Sequence, residues 1–106
     1  MAKYVLIYHG GAQPEDVTDE ERMAIMTAWG TWMEGLGEAL TDRGNWFGNS
    51  TTVQTDGSTK PGGGTNPATG YGMLDADSLD AAAALAAGCP ILDSGGTIEV
   101  AEAMEM

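Results

Sequence analysis

Two side chains carry most of the reactive chemistry in this sequence: His9, which closes the run "KYVLIYH", and Cys89, in "AAGCP". Histidine alone has an unperturbed pKa near neutrality, so His9 is the candidate catalytic residue, a proton acceptor at a strand end where loops can open a cleft. Asp75 and Asp77 are candidate carboxylates to orient it, although Asp77 also stands where a helix needs a cap. The plainer alternative for His9 is a ring that satisfies hydrogen bonds at the end of a strand. Cys89 lies past the C-terminal end of a helix, where backbone carbonyls gather and raise a thiol pKa, so it reads as a small buried hydrophobe rather than a nucleophile. One histidine and one cysteine are too poor a set for a zinc site, so no metal is expected, and no other cofactor.

The aromatic residues suggest binding. Trp29, Trp32, Met33 and Trp46, together with Tyr71, are the candidate binding residues. Their spacing is that of core positions, yet they adjoin Gly30, Gly35 and Gly37 inside a helical pattern. Each such glycine costs about 1 kcal/mol relative to alanine. Either another backbone approaches there, or the missing side chains leave a hollow. The triple glycine at 62–64 has no strand leading directly into it and no helix after it, which favours a flexible hairpin loop over a phosphate cradle.

The elements that must position these groups follow from periodicity. "KYVLIYH" is apolar on both alternating faces, with Tyr4, Leu6 and Tyr8 one way and Val5, Ile7 and His9 the other, as in a strand covered on both sides. After the loop "GGAQPEDV", Thr18 and Glu21 stand at capping-box spacing, and apolar residues recur at three- and four-residue steps to Leu40, predicting an amphipathic helix. Gly44 is its expected stop. "TTVQT" (51–55) reads as the second strand, the run to Thr69 as loop, "GYGMLDA" as the third strand and "GTIEVAEA" as the fourth. Between the last two lies a thin helix capped by Asp77 or Ser78 and ended by Gly88 and Pro90. In it Ala82, Ala83 and Ala86 permit close approach to the sheet, and Leu79 and Leu85 supply the larger contacts.

The resulting order, β-α-β-β-α-β, is that of an α+β ferredoxin-like protomer with two helices on one face of an antiparallel sheet. The first strand is apolar on its other face too, and a second copy of the sheet is the simplest cover for it.

The 106 residues make one domain, 1–106, with 16 acidic against 4 basic side chains and a net charge of −12. That balance argues against nucleic acid and anionic membranes, which need a basic face. It reads as a solvated surface, of the kind that also suits high salt. The apolar run at the N-terminus is too short for a signal peptide, and no stretch approaches the ~20 residues of a membrane helix, so a cytoplasmic location is expected.

"GYGMLDADSLDAAAALAAGCPILDSGGTIEVAEAMEM" resembles the C-terminal half of the YCII-related (DGPF-domain) family, through the pattern "SLDAA…GCP…GG.IEV". "AWGTWMEGLGEALTDRGNWFG" and "GGGTNPATGY" are similar to the first helix and central hairpin of one branch. The resemblance spans nearly the whole chain and implies a dimeric α+β barrel, two protomers joined sheet to sheet. Enzyme-like members carry a histidine near the start of the first helix; "EERMAIM" has none, and "KPGGGTNPAT" stands where the other branch has Asp-Gly-Pro-Phe. The expected function is a homodimer binding a small, partly apolar molecule, which would make it a cofactor-free enzyme if His9 is catalytic. The alternative is a non-catalytic regulatory or protein-interaction dimer, since such relatives are often associated with extracytoplasmic-function sigma factors.

Overall fold

The computed structural model describes residues 2–11 and 17–104; the expected loop at 12–16 and the last two residues lie outside the described residues. Among the described residues, six strands and two α-helices follow in order: β1 (Ala2–His9), α1 (Asp19–Leu36), β2 (Leu40–Asp42), β3 (Thr51–Val53), β4 (Thr59–Pro61), β5 (Ala68–Ala76), α2 (Leu79–Ala86) and β6 (Thr97–Glu102). Four strands form one antiparallel sheet in the order β2-β5-β1-β6, while β3 and β4 pair only with each other. The fold is α+β and ferredoxin-like, with both helices on one face of the larger sheet. The described chain is only 18 Å thick against 43 and 42 Å across, the depth of one sheet and one helical layer.

The alternation in β1 sets that layering. Tyr4, Leu6 and Tyr8 are buried beneath the helices with Leu74, Ala76, Ala82, Ala86, Cys89 and Ile91. Val5, Ile7 and His9 point to the uncovered side, where they lie opposite Met73, Tyr71 and Ala68 of β5 and Ala101, Glu99 and Thr97 of β6. Ile98 and Val100 return to the covered side and pack on the core.

Both helix starts follow the expected chemistry. The Thr18 hydroxyl accepts from the Glu21 amide at 3.1 Å and the Glu21 carboxylate accepts from the Thr18 amide at 3.3 Å, a complete capping box. Ser78, not Asp77, caps α2 by accepting from the Ala81 amide at 3.0 Å. Ala82 and Ala86 give α2 its close approach, but Ala83 and Leu79 face solvent, so the apolar stripe is narrower than the composition suggested. The helix ends at Ala86, and Pro90 opens a separate 3-10 turn, Pro90–Ser94.

Three further expectations need correction. Helix α1 does not continue to Leu40: Gly37, with φ +55°, breaks it, because a left-handed φ is accessible mainly to glycine, and a 3-10 turn (Gly37–Ala39) leads out. The second strand of the sheet is therefore Leu40–Asp42, paired to β5 across an irregular register, rather than the 51–55 run. That run instead opens the separate hairpin, and its partner Thr59–Pro61 arises within the stretch read as loop. Gly44 is not the helix stop but a contact point: at φ +71° it lies so close to β5 that an added Cβ would overlap the Tyr71 carbonyl and stand 2.9 Å from Gly72 Cα.

Two substitutions separate these roles. Gly44→Ala is expected to lower stability by about 2–4 kcal/mol, through both strain and collision with β5. Gly35→Ala, which meets nothing within 4 Å on a helical backbone, is expected to raise it by about 0.5–1 kcal/mol. Urea unfolding midpoints of the two variants test both signs.

Candidate ligand-binding site

Helix α1 has no fully buried residue. It rests on the sheet through Trp29 and on α2 through Trp32, two large spacers. Trp29 meets Tyr8 edge-on, ring centroids 5.1 Å apart at 86°, and Trp32 donates its indole N–H to the Leu85 carbonyl of α2 at 3.1 Å. These indoles hold the helix axis away from β1. On the side of the spacers towards the C-terminal end of β1, the gap is a cavity of about 580 Å³.

Gly30 lies on the cavity wall with nothing within 4 Å of where a Cβ would be. Of the two explanations for glycine in this helix, the hollow is the one found at Gly30; Gly35 faces open solvent, with no backbone approaching it. Trp29, Met33, Ile25 and Met26 line the cavity from α1, with Ile91 from the 3-10 turn and Trp46 and Phe47 from the segment after β2.

That segment is fastened to the start of β5. The Tyr71 amide donates to the Asn45 carbonyl at 3.1 Å and the Phe47 amide to the Thr69 carbonyl at 2.9 Å. Trp46 forms a lone bridge with Gly70, and its ring lies so close that a Cβ on Gly70 would come within 2.7 Å of it. Trp46 and Trp29 meet at 4.9 Å and 84°, which forms an apolar corner with one ring face and one ring edge.

The candidate binding residues therefore divide. Trp29, Met33 and Trp46 line the cavity. Trp32 stands outside it as a spacer, and Tyr71 is on the uncovered sheet face, stacked on Phe47 at 6.0 Å. His9 also faces away from the cavity. Its Nδ1 lies 3.0 Å from the Asn66 carbonyl, which can only accept, so Nδ1 carries the proton; Nε2 then faces the Glu99 carboxylate at 3.6 Å. The pair lies on the uncovered sheet face. Asp75 is opposite Lys3, at the other end of β1.

Sequence reasoning missed Glu99, Arg22 and Arg43. Glu99 had a signal, standing between the inward-facing Ile98 and Val100; the arginines had none, because their place on the cavity wall depends on how β2 meets β5. Among the described lining residues the only ionisable groups are these two arginines.

Two groups beneath the cavity are kept neutral. Burial, and then the nearby Cys89, push the Tyr8 hydroxyl far above its ordinary value of 10.0; that hydroxyl is enclosed and has no hydrogen-bond partner among the described residues. Burial pushes the Cys89 thiol up from 9.0 to about 11. The thiol's contribution to stability is therefore complete below about pH 9 and is lost as pH rises through about 11. Among the described residues there is no group of three side chains able to hold a metal ion, and no helix long and apolar enough to cross a membrane.

The family model for the YCII-related domain matches residues 2–106. No curated protein matches the chain.

Cys89 provides a direct check of the site's chemistry. Iodoacetamide at pH 8 should alkylate it about a hundredfold more slowly than an ordinary thiol, and at the ordinary rate in urea, as followed by intact mass.

Proposed function

Because the chain belongs to the YCII-related family, we propose that it works as a homodimer that binds a small, partly apolar molecule in the cavity between α1 and the end of the sheet. The observation that carries this reading is the cavity itself: about 580 Å³, within the range of small-molecule sites, walled by Trp29, Trp46, Met33 and Ile25 and left open by Gly30. Arginine stays protonated throughout the physiological range, so the described wall offers grip and shape but no group to take or give a proton. Binding is the activity this geometry supports best. If His9 takes part in catalysis, it does so beside Glu99 on the opposite side of the sheet from the cavity, for a reactant distinct from the cavity's ligand.

The dimer reading rests on that same open face. Val5, Ile7, Tyr71 and Met73 are half-buried with no layer over them among the described residues, and a second sheet would cover them in the dimeric α+β barrel arrangement. Burying apolar area there at roughly 25 cal/mol per Å² is the driving force.

N-phenyl-1-naphthylamine, a neutral apolar dye that brightens out of water, tests the cavity. Gly30→Leu, which fills the hollow while favouring the helix, should abolish its binding, and His9→Ala should leave it unchanged. Dye bound equally well by Gly30→Leu would sink the cavity reading. Sedimentation velocity tests the assembly: the native protein should run at twice the 11.0 kDa chain mass, and Ile7→Glu at the chain mass. A native monomer would end the dimer reading.

A further inference from the structure

The distribution of charge around the cavity is the reverse of that in the chain. The sequence holds 16 acidic residues and only 4 basic ones, yet two of the four, Arg22 and Arg43, are on the cavity wall, and no described acidic residue is. The two differ in what they already hold. Arg22, in the second turn of α1, has a guanidinium nitrogen 3.3 Å from the Asp19 carboxylate. Arg43 has no ion pair among the described residues.

Its backbone is nonetheless firmly placed. The Asp42 carboxylate accepts from the Gly44 amide at 2.8 Å, closing a tight turn around Arg43, and Gly44 is pressed on Tyr71 of β5. An arginine on a fixed turn, on the wall of an apolar chamber and without a carboxylate partner among the described residues, presents a fork that an anion can accept from.

We infer that the ligand of this cavity is an aromatic or similarly flat apolar anion whose carboxylate, sulfonate or phosphate is seated by Arg43. This inference rests on the cavity being the binding site and adds the charge of what enters it. The body of such a ligand fits the perpendicular corner of Trp29 and Trp46, one ring face against it and one edge towards it. Its charge would meet Arg43, with Arg22 adding a weaker pull because Asp19 already shares that guanidinium. The net charge of −12 repels anions from the rest of the surface, so any preference for an anion must come from this local pair.

Two dyes with the same rings isolate the effect: 8-anilinonaphthalene-1-sulfonate and N-phenyl-1-naphthylamine, which lacks the sulfonate. Fluorescence titrations of the native protein should give the sulfonate an affinity about tenfold higher than the neutral dye. Arg43→Met should remove that about tenfold advantage while leaving the neutral dye unchanged, which also reports that the cavity is intact. Lys60→Met, on the detached hairpin, makes the same change in net charge and should alter neither titration. Equal affinities in the native protein, or equal losses with Arg43→Met and Lys60→Met, would overturn the anion inference while leaving the cavity reading standing. Failure of Gly30→Leu to weaken either dye would overturn the cavity reading and this inference together.

Discussion

The two-sided character of β1 is the constraint on which the rest of this molecule depends. A central strand buried by Tyr4, Leu6 and Tyr8 on one side and bearing Val5, Ile7 and His9 on the other cannot be satisfied by one layer of helix. The covered side becomes the core and carries the cavity above its end. The uncovered side stays half-buried and carries the His9–Glu99 pair. A slip of one residue in register would exchange the two sets, so the same alternation that builds the core keeps the titratable pair away from the tryptophans.

The cavity follows from unequal packing by the two helices. Alanines at 82 and 86 bring α2 into close contact with the sheet, whereas Trp29 and Trp32 hold α1 at the distance of an indole. The indoles fill the gap only where they stand. Beyond them the helix presents Gly30, and the wall opposite is built by the Trp46 segment lying on Gly70. Aromatic spacers and glycines together create space that neither would create alone.

Much of this was legible in the sequence, and the limits have physical causes. β1, both helix starts, β5, β6 and the tryptophans of α1 are stretches whose side-chain period and capping chemistry are local properties. β2 was hidden because three residues, two of them exposed, are too few to display a period, and because its pairing to β5 is irregular. β3 and β4 are exposed on both faces, so β-branched composition marked one as a strand but nothing local indicated which sheet it joins. Trp29, Met33 and Trp46 were recognisable by residue type. The separation of His9 and Tyr71 from them, the pairing of His9 with Glu99 and the place of Arg43 depend on contacts between segments far apart in the chain.

The way α1 is held also gives the molecule a hierarchy of stability. The sheet and α2 contain all the fully buried core side chains of the regular elements, whereas α1 contributes none and is secured by its capping box and two indoles. A helix attached so lightly can open at a free energy well below that of global unfolding. The element that encloses the cavity is thus also the cheapest to displace, and the cavity can open to solvent through excursions of this one helix while the sheet beneath it remains folded.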